Sequence, residues 1–230
     1  MTNLLRATIV CLLFIGFLSK NVYALGVDIH TEIEKWNVGL SGDASGSVLG
    51  LGIAKHLNKN WQLGVGGSHG DFSIANQSAT SLTRNTLDVV FVRRNRVAFI
   101  DKGFAQWFVG YQLMKIDYSN QQVTESSFDD TSHGMGGGVS AQYILNDHWM
   151  MFSRANLSTI YSRVEYRDRV DQDGFGLSYG IDLGVIYRFY SQTNIGIGFK
   201  SQANNMNYGG SAGKWNHDYN RWGLSVSRHF

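Results

Sequence analysis

At 230 residues, the chain is the size of one domain, and nothing in its composition suggests a second. With 43% hydrophobic and 17% charged residues it is no disordered polyelectrolyte. Its 27 glycines and complete lack of proline fit a backbone whose donors are committed to a hydrogen-bond ladder.

Residues 1–24 read as a cleavable export leader. Arg6 supplies a basic start, Ala7 to Leu18 an apolar run, and Val22-Tyr23-Ala24 a small-residue cleavage site. A run of twelve residues at a rise of ~1.5 Å is too short for a bilayer core of roughly 30 Å. The single cysteine, Cys11, falls inside this run without a lipoprotein-type context, so the remainder, 25–230, has no thiol for disulfides, nucleophilic catalysis or metal. Losing Arg6 and Lys20 with the leader leaves 18 basic against 18 acidic residues. The mature chain is formally neutral, which argues against a nucleic-acid partner.

Beyond residue 24 no apolar run approaches the length of a membrane helix. Period-two alternation recurs instead. Leu49, Leu51 and Ile53 alternate with Gly50, Gly52 and Ala54, and Trp61, Leu63 and Val65 with Gln62, Gly64 and Gly66. The longest case sets Phe175, Leu177, Tyr179, Ile181, Leu183, Val185, Tyr187 and Phe189 against mostly small or polar residues. Ile195–Phe199 and Trp222–Val226 repeat the pattern. The second face is built from Gly, Ser and Gln rather than crowded charges, which suits the interior of a small closed barrel better than the wet face of a sandwich.

Short polar turns are expected at Asn58–Asn60, Arg94–Arg96, Asn146–His148 and Ser191–Asn194, two of them followed at once by Trp61 and Trp149. Between them fall longer hydrophilic connections, near 41–47, 70–83, 118–133, 165–174 and 204–218. Four short turns and five long loops join ten antiparallel strands, with eight as the fallback and both chain ends on the short-turn side. The first strand is expected near Ile33–Leu40 and the fifth near Phe104–Asp117. The predicted fold is therefore an all-β closed transmembrane barrel.

A leader, Gly-rich and aromatic strands, and a last strand ending in Phe230 resemble the small outer-membrane barrels of Gram-negative bacteria, the OmpA/OmpX-like and opacity-type groups. The resemblance implies residence in the outer membrane, contact with its lipids and lipopolysaccharide, and reading of terminal Phe230 by the barrel-assembly machinery.

Parity puts Asp88, Arg154, Asp182, Lys200 and Arg221 on the interior face near mid-membrane. Two readings follow: a salt-bridge network that fills the lumen, or the lining of a narrow porin-like channel for small polar solutes. His69, Asp71, Asp129, Asp130, His133, His217 and Asp218 fall near loop ends, where a rim hydrolase would carry its water-activating groups, but no nucleophile motif accompanies them. Two loops are candidates for binding: the amide- and aromatic-rich stretch Asn204–Asn220, and the mixed charges Glu165, Arg167, Asp168, Arg169, Asp171 and Asp173, which suit lipopolysaccharide headgroups. Gly134 and Gly136–Gly138 run straight into an alternating strand and make no phosphate loop, and no metal or cofactor spacing is present. The function expected from sequence is a structural or surface-interaction barrel, with the channel and the rim hydrolase as alternatives.

Overall fold

The computed structural model describes residues 25–37, 43–74, 80–95, 102–120, 127–167, 170–189, 192–208 and 214–229. The leader 1–24 and Phe230 lie outside these residues. Among the described residues ten strands occur: β1 Leu25–Asn37, β2 Asp43–His56, β3 Trp61–Ile74, β4 Thr80–Asn95, β5 Gly103–Asn120, β6 Phe128–Ile144, β7 Trp149–Tyr166, β8 Gln172–Arg188, β9 Thr193–Tyr208 and β10 Lys214–His229. Each pairs antiparallel with the next, and β1 pairs with β10 to close the barrel. Among the described residues closure leaves no strand edge unpaired, as a sheet immersed in lipid requires.

At the end where β1 begins and β10 finishes, two of the turns are built by asparagine side chains. Asn58 Oδ1 accepts the backbone N–H of Asn60 at 2.9 Å and of Trp61 at 3.0 Å. Asn146 Oδ1 does the same for His148 and Trp149, both at 2.9 Å. The shared Asn-x-x-Trp pattern reverses the chain through the asparagine and sets an indole at the rim. Gln192, at φ 61°, supplies the left-handed residue of the β8–β9 turn.

The opposite, distal end differs from the expectation. Strands of 13 to 18 residues leave only 38–42, 75–79, 121–127, 167–171 and 209–213 as connections. The stretches read from sequence as long loops are mostly strand, and β1 begins at Leu25 rather than near Ile33. The reason is a phase change. Near the terminal end, apolar residues point outward: Ile195, Ile197 and Phe199 in β9, Met135, Val139 and Tyr143 in β6. In the distal third the apolar parity inverts. Met206 and Tyr208 turn inward while Asn205 and Asn207 face out, and Phe72 and Ile74 turn inward between exposed His69, Asp71 and Ser73. A ten-residue window straddling the inversion, such as 199–208, has apolar residues on both parities and so no single apolar face.

The outward residues Ile195, Ile197, Met135, Val139 and Tyr143 form an apolar belt of the kind a membrane barrel presents to lipid. A strand of 18 residues at ~3.3 Å per residue is far longer than the 9–11 residues a bilayer needs. The surplus stands beyond the belt as a polar-walled collar. Its interior is a hydrophobic core of Ala44, Val48, Leu82, Ile116, Val164 and Met206 with the rings of Phe72, Tyr118, Phe128, Tyr208 and Tyr219. Tyr118 and Phe128 stack at 5.0 Å between centroids.

Large inward side chains find room opposite glycine. His30 faces Gly50, Phe72 faces Gly46 and Tyr208 faces Gly174 across their strand pairs. A Cβ at Gly50 would lie 2.0 Å from the His30 ring nitrogen. This pairing accounts for much of the glycine content on the inner face.

Candidate functional site

Below the apolar core, the lumen holds a cavity of about 390 Å³. The inner face of β1 measures how water reaches it. Side-chain exposure falls from 41% at Asp28 to 26% at His30, 17% at Glu32 and 0% at Glu34. Solvent therefore enters from the terminal end and stops at the core. Among the described residues the lumen is a blind well, open at one end and packed at the other.

Two ion pairs form where the well meets the core. Glu34 takes both guanidinium nitrogens of Arg84, Oε2 accepting Nη2 at 2.6 Å, and the pair is buried. Arg84 also lies 5.3 Å from the ring centroid of Phe72 and 5.2 Å from that of Tyr219. Beside it, Arg221 Nη1 donates to Glu32 Oε2 at 2.6 Å. Bidentate geometry and aromatic faces suit a guanidinium held away from water.

All five residues singled out from sequence, Asp88, Arg154, Asp182, Lys200 and Arg221, line the cavity. Four of them share one register row. Arg154 stands opposite Asp182, Asp182 opposite Lys200, and Lys200 opposite Arg221. Glu34 extends the row to a fifth strand by facing Arg221. Asp88 faces Gln112, whose amide donates to it at 2.7 Å. Arg154 lies 3.8 Å over the ring of Phe108.

Glu32, Glu34 and Arg84 escape the sequence reading. The signal was present, since Asp28, His30, Glu32 and Glu34 alternate with Val27, Ile29, Thr31 and Ile33. Starting the first strand near Ile33 hid it. Arg84 falls at the edge of a presumed loop.

The proposed rim residues do not converge. His69 and Asp71 face outward on β3, with His69 Nδ1 2.8 Å from Asn85 Oδ1 and Nε2 3.4 Å from Asp71. His133 faces outward on β6, 2.5 Å from the Tyr111 hydroxyl. Asp129 is exposed beside Lys115 and Asp117. Asp130, one residue along, turns inward and is buried. His217 and Asp218 stand on β10. These groups are spread over three strands and both faces of the wall. In the stretch Asn204–Asn220, the described aromatics Tyr208 and Tyr219 belong to the core rather than to a free loop. Gly134 and Gly136–Gly138 are strand residues of β6. Asp168 and Arg169 lie outside the described residues.

Asp130 has a distinctive setting in the collar, beyond the apolar belt. Ser162 donates to its Oδ1 at 2.5 Å and Ser132 at 3.0 Å, and Ser162 Oγ lies 2.9 Å from the Tyr208 hydroxyl. Burial pushes its pKa up from 3.8 to about 6, against the two serine hydrogen bonds that pull it down.

No family model and no curated protein matches this sequence. Solved structures do match the fold. The outer membrane protease OmpT from Escherichia coli aligns over 92% of this chain and 99% of its own, with a TM-score of 0.56 and 10% identity. The fold is that of an outer-membrane β-barrel. Neisserial surface protein A aligns over 91% of this chain and 100% of its own, with a TM-score of 0.48 and 11% identity. At 10% identity the likeness to OmpT carries the architecture and leaves chemistry to the residues.

Proposed function

We propose that the chain is an integral protein of the bacterial outer membrane whose role is structural or surface-interacting, with a lumen closed to through-flow. The observation that carries this reading is the apolar core sealing the distal third of the barrel. A channel for polar solutes needs a continuous wet path, and an interior packed with Leu82, Val164, Ile116 and aromatic rings offers none.

The collar supports the surface role. Termini and short turns belong in the periplasm, so the collar faces outward from the cell. Lys35, Lys115 and Arg163 stand outward immediately past the apolar belt, at the height of phosphorylated lipopolysaccharide headgroups. In this reading residues 1–24 are the export leader and Phe230 is the assembly signal.

The test is conductance. Purified barrel in a planar bilayer is expected to give no discrete current steps over a wide voltage range. Regular steps from the unmodified protein would return the narrow-channel reading. For the lipid partner, replacing Lys115 and Arg163 together by alanine should lower the lipopolysaccharide that co-purifies with the folded barrel; an unchanged yield removes those residues from the contact.

A further inference from the structure

We infer that the luminal well is a binding site for a small zwitterionic solute, of amino-acid or short-peptide type, that enters from the open end. Access from the periplasm rests on the closed-lumen reading above; the binding itself does not.

The argument begins with what the charges do to each other. The ion pairs Glu34–Arg84 and Glu32–Arg221 are closed. Arg154, Asp182, Lys200 and Asp88 behave differently. They lie close enough to sense one another's charge across the lumen. Yet among the described residues no ion pair within 4.0 Å joins any of the four to a partner. Direct register neighbours have Cβ atoms about 5 Å apart, near enough for Arg154, Asp182 and Lys200 to pair. Their side chains meet the cavity instead. Among the described residues, Asp182 Oδ1 and Asn156 Oδ1 are buried there and accept no hydrogen bond. Lys200 also stands directly opposite Arg221, whose charge Glu32 already takes, so among the described residues Lys200 is left with no carboxylate in contact.

A network built only to fix register would bring these charges into contact, as it does at Glu34 and Arg84. The well instead presents separated cations and separated carboxylates around open volume. Four cations and four carboxylates line it, so its wall is balanced. A purely anionic ligand would engage Lys200 and Arg154 and be opposed by Asp182 and Asp88; a cation would meet the reverse. A molecule carrying a carboxylate at one end and an ammonium at the other satisfies both sets and leaves no charge uncompensated. The volume of about 390 Å³ is at the small end of ligand sites. The rings of Phe108 and Phe152 add apolar wall for a short side chain.

Titration calorimetry on the mature barrel in detergent tests the assignment, with glycylglycine as the zwitterion and inorganic phosphate and tetramethylammonium as single-charge probes. Saturable glycylglycine binding, with both single-charge probes weaker by about tenfold or more, is the expected result. Lys200→Met and Asp182→Asn should each weaken glycylglycine by a similar factor, with retained heat-modifiable migration on gels showing that the variants fold. The probe comparison on the unmodified barrel decides the matter even if a variant does not fold. Binding of none of the three probes overturns the site. Phosphate bound as tightly as the dipeptide, and more tightly after Asp182→Asn, overturns the zwitterion in favour of an anion site. Since detergent-solubilised barrel presents its open mouth directly to the bulk solution, these outcomes are independent of the bilayer experiment that judges the closed lumen.

Discussion

Asp130 and Glu34 are both buried in the distal interior, but only Glu34 has a cation. Asp130 has hydroxyls alone: Ser132, Ser162 and, through Ser162, Tyr208. No cation pairs with it among the described residues. A carboxyl whose folded pKa is raised from 3.8 to about 6 holds its proton more tightly folded than unfolded. Its contribution is therefore most favourable below the unfolded value and is lost as pH rises between the two. The full displacement corresponds to ~3 kcal/mol of destabilisation at neutral pH. Asp130→Asn keeps an acceptor for the serines and removes the charge. It should raise the unfolding free energy at about pH 7.5 by roughly 1–3 kcal/mol, seen as a higher denaturant midpoint, and give little change at about pH 4. An unchanged or lower midpoint at the higher pH would show that the hydroxyls already compensate the ionised form. Glu34 predicts the opposite. Glu34→Gln or Arg84→Met alone strands the partner charge and should cost about 3–5 kcal/mol, while the double substitution should cost clearly less than the sum. Additive losses in that cycle would mean the pair is not coupled.

At the level of the strand, glycine makes two different kinds of room. Gly50 yields to a side chain: its added Cβ would strike the His30 ring at 2.0 Å. Gly138 yields to backbone: its Cβ would lie 2.0 Å from the Ala155 carbonyl oxygen. Gly50→Ala should therefore lower stability in a way that His30→Ala largely restores, since the ring can be removed. Gly138→Ala should resist rescue by trimming Phe108, because the carbonyl remains. Folding yield into detergent reads both; rescue of Gly138→Ala by a side-chain change would contradict the close backbone approach.

The same strands show what the sequence could and could not disclose. Phe175 to Phe189 announced β8 because one parity stays apolar through the belt. The turns at Asn58 and Asn146 were legible because asparagine reverses the chain by its own side chain. The distal strand ends were not, because apolar residues change face there and the polar residues that remain look like loop. The interior charges of β7 to β10 were reachable by parity alone. Their separation from one another depends on rotamers and barrel curvature, which no spacing encodes. Asp130 was grouped with Asp129 as a rim residue, although adjacent residues of a strand point to opposite sides of the wall.

Over the whole barrel, the inverted parity divides one continuous cylinder into a lipid-facing part with a wet interior and a collar with a wet exterior and a dry core. The division sets a directional accessibility. The one cysteine, Cys11, belongs to the leader, so in this reading a cysteine placed in 25–230 is a single-thiol probe without interference. Asp129→Cys, on the exposed wall of the collar, should react in intact cells with a charged maleimide too large for general porins. Asp28→Cys, near the open mouth, should react only after the outer membrane is breached. Ser162→Cys, within the sealed core, should stay slow in both conditions and react on unfolding. Labelling of Asp28→Cys in intact cells would mean that the collar admits solutes, and the closed-lumen reading would fall. Labelling of Asp129→Cys only after breaching would invert the barrel's orientation and put the mouth of the well at the cell surface. With the expected pattern, the well is a periplasmic compartment, and whatever solute fits between Lys200 and Asp182 arrives from inside the cell envelope.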